Sequence, residues 1–286
     1  MILNPAGELV KRAGVNGQGP GELNRPSQIT WDRFKKCFVI SDSGNARFSR
    51  WDEKGNFIDE IPFAQGASQM RFASSEVGIY GRHRSGNRGN VPKLMSYNLK
   101  SFESSELWRY EQKTDKITSG SSGEMRVSIV FSWNSELQFA VGSNFVAVTF
   151  ADTNRIHLFD FKGKPAGADI LPKLPVFEVS ETQVKSALDR LDPQFVAMVK
   201  DSLPAPGDWP AIGAMHIDGQ DRIWVFGNRG DYDSPFPLVV FDKKGKCLLE
   251  TQVKKRPDFI AGNAFYFHDK SDEDAPFIQK KLIQLR

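Results

Sequence analysis

Only two cysteines, Cys37 and Cys247, occur in 286 residues. A disulfide framework therefore cannot be what holds the chain together, and no CxxC pair is present to bind zinc or exchange thiols. Both thiols fall in strand-like runs and are expected to be buried and free. Histidine is equally sparse: His83, His157, His216 and His268 are dispersed without metal-ligand spacing. There is no Gly-x-Ser-x-Gly elbow and no His-Glu-x-x-His helix, which removes the common sequence signatures of serine hydrolases and zinc proteases. No apolar run approaches the roughly 20 residues of a membrane helix. The start, Met1-Ile2-Leu3-Asn4-Pro5-Ala6-Gly7-Glu8, carries neither a basic n-region nor an apolar h-region. No signal peptide is visible, and a cytoplasmic location follows if Met1 is the native start. The charge is nearly balanced, 38 basic against 35 acidic residues for a net +3. A nucleic-acid binder would show a larger or more clustered surplus, so no nucleic-acid partner is expected. No cofactor or metal is expected either.

What the chain has is short β-forming runs separated by turns. Phe38-Val39-Ile40 and Phe145-Val146-Ala147-Val148 have the length of strands rather than helices. Their lack of strict alternation fits strands covered on both faces. Three stretches rhyme: Trp51-Asp52-Glu53-Lys54-Gly55, Phe159-Asp160-Phe161-Lys162-Gly163 and Phe241-Asp242-Lys243-Lys244-Gly245 each read aromatic-Asp-x-Lys-Gly. Weaker echoes begin at Leu3 and Tyr97. The starts at 3, 51, 97, 159 and 241 lie 48, 46, 62 and 82 residues apart. A recurrence near 45 residues, with four strands per unit, is the sequence mark of a β-propeller.

The expected fold is thus all-β: one β-propeller domain over residues 1–286, with five recognisable blade units and room for a sixth if residues 111–136 hold a degenerate blade. The strand near Glu8 to Lys11 is expected to close the last blade, sparing it an open edge. Residues 111–124 are polar and Ser/Gly-rich and read as a surface loop. Residues 180–203 break the pattern. Ser180-Glu181-Thr182-Gln183 is a capping box, Val184, Leu188 and Leu191 follow at helical spacing, and Asp192-Pro193 caps a second helix. This helical insertion explains much of the 82-residue spacing; it either covers a blade edge or forms a lid. In the turn Asp42-Ser43-Gly44-Asn45, Asp42 and Asn45 are expected to bond the hairpin backbone while Gly44 takes the strained position.

Gly17-Gln18-Gly19-Pro20-Gly21-Glu22 is not a phosphate cradle, because no helix follows it. Together with Pro26, Asp32, Val39-Ile40-Ser41-Asp42-Ser43-Gly44-Asn45-Ala46-Arg47 and Trp51-Asp52-x-x-Gly55, it resembles the six-bladed propeller family related to NHL repeats. The likeness is strong over residues 7–60 and weak at 145–163 and 212–250. It implies a propeller, and a periplasmic or extracellular location, since many such proteins carry an export signal.

Arg82-His83-Arg84-x-x-x-Arg88, flanked by glycines, is a basic hairpin loop suited to an acidic partner. Arg82, His83, Arg84 and Arg88 are the candidate partner-binding residues. The function expected is a non-catalytic interaction module or scaffold that binds a protein partner through loops on one face. The alternative is a metal-dependent hydrolase or lyase with its site in the central channel. For that chemistry the innermost strands offer Gln28, Thr30, Gln69, Arg71, Gln138, His216 and Asp258.

Overall fold

The computed structural model describes residues 2–3, 9–62, 67–82, 92–110, 118–122, 125–129, 137–150, 153–199, 207–229, 234–261, 264–270 and 276–283. Strands dominate, arranged as five antiparallel meanders of three or four strands. The first sheet is Pro26–Asp32, Cys37–Asp42, Arg47–Trp51 and Phe57–Pro62; the second is Ala67–Phe72, Val77–Arg82, Lys93–Asn98 and Ser104–Arg109. The third is Leu137–Val141, Val146–Phe150 and His157–Phe159, extended by bridges from Ile156 to Ile170 and from Phe159 to Pro165. The fourth is Ile212–Ile217, Ile223–Gly227, Phe236–Phe241 and Cys247–Val253; the fifth is Phe259–Ala261, Ala264–Lys270 and Pro276–Leu282.

The sheets stack face to face. Cys37, Val39, Phe48 and Ile61 of the first sheet meet Met70, Phe72, Tyr80 and Met95 of the second. Ile79 and Leu94, on the opposite face of the second, meet Val146 and Val148 of the third. Ala147 and Leu158 meet Ile223, Val225 and Val239 of the fourth, whose Trp224, Phe226, Leu238 and Val240 meet Ile260, Phe265 and Phe267 of the fifth. Neighbouring residues on one strand thus serve two different interfaces, which is why these strands read as continuous apolar runs. The first strands of the sheets pack beside one another, Pro26–Asp32 against Ala67–Phe72, then Leu137–Val141, then Ile212–Ile217.

The rhyming turns are one structure repeated. Asp52 Oδ1 accepts the backbone N–H groups of Lys54 and Asn56, Asp160 those of Lys162 and Lys164, and Asp242 those of Lys244 and Lys246. Gly55, Gly163 and Gly245 sit at φ of 71°, 81° and 81°, the left-handed region where a side chain is strained. The echo at Asn98 uses the same chemistry, accepting from Lys100 and Ser101, with Phe102 at φ 60°. The echo at Leu3 to Gly7 falls largely outside the described residues.

Four expectations need correction. Leu9–Lys11 does not extend the fifth sheet: it pairs with Ile2–Leu3 of its own tail, a short closure with little loop entropy to lose. Residues 111–124 are not simply a loop, for Thr118–Ser122 pairs with Met125–Ile129. In the Asp42 turn the left-handed residue is Ala46, at φ 50°. Gly44 is instead required for space, because a Cβ there would stand 2.3 Å from the Asn24 carbonyl oxygen. Finally, Cys37 is buried as expected, but Cys247 is exposed at the start of the outermost strand of its sheet.

The helical insertion forms as Glu181–Leu188 and Pro193–Val199. Ser180 and Gln183 make the reciprocal capping box. Val184, Leu188, Leu191 and Met198 gather on Val179 and Trp209, and the second helix packs on the Thr118–Ile129 hairpin. No helix among the described residues is long and apolar enough to cross a membrane.

Candidate functional site

The antiparallel order gives each sheet two unlike ends. Turns between first and second strands, and between third and fourth, share one end. There Asp32, Asp52, Asn98, Asp160, Asp218 and Asp242 close short turns on their own backbone N–H groups. From the other end leave the links between second and third strands and all connections between sheets. These include the chain from Arg82 to Lys93, the helical insertion, and the Gly17–Asn24 segment.

That last segment and the Asp42–Arg47 turn, the two motifs of the sequence resemblance, turn out to be mutual partners. Asp42, fully buried, accepts the Asn24 N–H at 2.7 Å and the Asn45 amide at 2.7 Å. Asn45 also donates to the Gly17 carbonyl, and Gly44 N–H to the Asn24 carbonyl at 2.7 Å. The Arg47 guanidinium reaches the carbonyls of Gly19 and Glu22, pairs with Glu60 at 2.7 Å, and lies 3.4 Å from Asp42. Every charge in this lock has a partner, so its role is to hold the crossing segment.

The expected partner loop is only partly visible. Arg82 ends the strand Val77–Arg82 opposite Lys93; His83, Arg84 and Arg88 lie outside the described residues.

The channel candidates lie on or beside the first strand of each sheet. Gln28 and Thr30 are on the first sheet's inner strand, Gln69 and Arg71 on the second's, Gln138 on the third's, His216 on the fourth's, and Asp258 immediately precedes the fifth's. Gln28, Thr30, Ser41, Met70 and Arg71 line a shallow recess between the first two sheets. Burial depresses the Arg71 guanidinium, whose one hydrogen bond among the described residues is a long 3.5 Å contact to the Met70 carbonyl. His216 is pushed down to about 4, first by burial and then by the positive charges of Arg71 and Arg256. It is neutral at physiological pH, with its ring edge-on to Phe226.

Sequence reasoning overlooked Arg256. It donates to the Gly213 carbonyl at 3.0 Å and lies over the Phe236 ring, which Arg229 also approaches. Burial and the Arg229 charge depress it. A Cβ at position 213 would come 2.8 Å from its NH1, so Gly213 leaves the guanidinium its place. The sequence signal was there in the basic run Lys254-Lys255-Arg256 directly before an inner strand.

Elsewhere, His157 Nδ1 meets Asp169 at 2.8 Å and Arg155 pairs with the same carboxylate. Although burial opposes it, these two bonds hold Asp169 below the usual carboxylate range. Among the described residues no group of three His, Cys, Asp or Glu side chains is arranged to hold a metal.

No protein-family model matches the sequence, and no curated protein does. Solved structures do match. A member of the DUF4221 family from Bacteroides vulgatus superposes with a TM-score of 0.60 at 10% identity, over 97% of this chain and 84% of that one. The fold is propeller-like. Weaker likenesses are to a protein from Bacteroides fragilis described as exported (TM-score 0.47, 12% identity, 94% and 70% covered) and to a streptogramin B lyase (0.44, 12%, 96% and 87%). At 10% identity the DUF4221 likeness shows the propeller-like fold alone, and the NHL-type assignment rests on the sequence resemblance alone.

Proposed function

We propose that this protein is a non-catalytic binding module, a single propeller-like domain over residues 1–286 that receives a protein partner on the end from which its connections leave. The carrying observation is the difference between the two ends. At one, short turns spend their carboxylates on their own backbone N–H groups, leaving little to offer a partner. The other bears the helical insertion and the basic link beginning at Arg82, and it is where a partner would find the longer connections. Arg82, His83, Arg84 and Arg88 are the proposed contacts, for an acidic partner surface. The inner strands suit a metal-dependent hydrolase or lyase less well, because guanidinium groups repel a divalent cation and Gln and Thr are weak ligands for it. The family resemblance supports a periplasmic or extracellular location, which we propose with it.

The reading is tested by comparing the triple variant Arg82, Arg84, Arg88→Ala with Lys54, Lys162, Lys244→Ala at the opposite end, in pull-downs from the native source. The first set is expected to lose the captured partner and the second to keep it. Equal capture by both would remove the assignment of the binding end.

A further inference from the structure

Arg71 and Arg256 are half-buried cations with no carboxylate partner among the described residues. Each has a backbone carbonyl as its hydrogen-bond acceptor, Met70 for one and Gly213 for the other, and neither forms an ion pair among the described residues. Both are removed from water far enough for burial to disfavour their charge. Taking a guanidinium out of water without a counter-charge is costly, and arginine cannot escape by giving up its proton. Elsewhere in this molecule the problem is solved with acid: Arg47 has Asp42 and Glu60, Arg50 has Asp59, Arg222 has Asp218.

The two arginines are not scattered. Arg71 and His216 stand on inner strands flanking the same neighbour, Leu137–Val141, and Arg256 is tied to the inner strand that carries His216. His216 is within electrostatic reach of both. Beside Arg71 is the recess with Gln28 and Thr30, which add an amide and a hydroxyl. A neutral imidazole in that position can donate one hydrogen bond and accept another without adding to the positive charge.

We infer that the inner edges of the sheets form a binding site for a small organic oxyanion, a carboxylate or phosphoryl compound, with Arg71 as its anchor and Arg256 as the second cation. The planar guanidinium fork matches either group through two parallel hydrogen bonds. The ligand supplies the missing counter-charge, while Gln28, Thr30 and neutral His216 contact its uncharged part. This site is separate from the proposed partner surface and does not depend on it.

The test uses the full chain in low-chloride buffer, titrated with inorganic phosphate and with succinate and followed by calorimetry and thermal unfolding. At tenfold excess over its dissociation constant, the better probe is expected to raise Tm by about 3 °C. Arg71→Gln should weaken it at least about tenfold, as loss of a charge-assisted bidentate contact does. Arg256→Gln should weaken it too, and the exposed control Arg109→Gln should not. Should Arg71→Gln fold poorly, Arg71→Lys retains the charge but not the fork and is expected to fold and bind more weakly. Preference for phosphate identifies a phosphoryl ligand, preference for succinate a carboxylate. No stabilisation by either probe, or the same stabilisation in wild type and the Arg71 variants, overturns the proposal.

Discussion

Arg47 and Arg71 lie one sheet apart and meet opposite fates. Arg47 is enclosed by Asp42, Glu60 and two carbonyl oxygens, all of them from the segments it fastens together. Arg71 is partly buried on an inner strand with little but its neighbour's carbonyl. The first arrangement is complete without any other molecule, as a structural clamp should be. The second leaves a charge waiting, which is what a receptor for a charged ligand requires. Burial of an arginine therefore does not separate structure from function in this chain; the company it keeps does.

The sharpest way to break that comparison is to replace both arginines with methionine. Arg47→Met strands the carboxylate of Asp42 in the interior and is expected to lose about 3–5 kcal/mol in urea unfolding. Arg71→Met removes a charge that has no carboxylate partner among the described residues and should leave ligand-free stability unchanged or raised. Equal losses from the two would erase the distinction.

Next in size is a pH effect at His216, whose pKa falls to about 4 from 6.5 with Arg71 and Arg256 as the charges facing it. The unfolded chain takes up a proton here between pH 6.5 and 4 while the folded protein does not. Stability is therefore intact above pH 6.5 and falls as pH drops towards 4, by at most about 3 kcal/mol. His216→Gln should flatten that part of the stability–pH curve while the acid loss from paired carboxylates such as Asp169 persists. An unchanged curve would mean the imidazole is not in a cationic, desolvated place.

The smallest effects concern the backbone. Gly44→Ala pushes a methyl against the Asn24 carbonyl within the Arg47 lock and should cost about 1–3 kcal/mol. Gly55→Ala, at φ 71°, should cost about 1 kcal/mol. Gly219→Ala, with open space around it, is expected to stay within about 0.5 kcal/mol. Thermal unfolding of the three variants checks the order.

The contrast between the arginines also marks how far the sequence could be read. The lock was visible as motif because its parts are near in sequence and chemically distinctive: glycines, Asp42, Asn45 and Arg47 recur in a set order. The repeated turns were visible for the same reason, since an aspartate bonding residues two and four ahead leaves a fixed spacing. The inner cluster brings together Arg71, His216 and Arg256 from three separate stretches, and only stacking of the sheets gives them a common neighbourhood. Arg71 and His216 were recognised as inner-strand residues, but that neither Arg71 nor Arg256 has a carboxylate partner among the described residues is a property of the fold. The Thr118–Ile129 hairpin was hidden by composition: Ser119-Gly120-Ser121-Ser122 has turn chemistry, and backbone pairing with Met125–Ile129 overrides it. The N-terminal strand was legible as a strand but not in its pairing, because local closure onto Ile2–Leu3 competes with a distant sheet edge.

The alternation of buried side chains between two interfaces sets how motion spreads through this molecule. The second, third and fourth sheets carry apolar clusters on both faces, whereas Ile29 and Trp31 on the first sheet's far face stay 63% and 37% exposed. Each sheet is thus coupled to its immediate neighbours, in the manner of a stack whose stability is a sum of nearest-neighbour interfaces. Opening should begin at the outer members and travel inward one interface at a time. Amide hydrogens of Val146–Phe150 and Ile223–Gly227 are accordingly expected to exchange most slowly, and those of Pro26–Asp32 well before them.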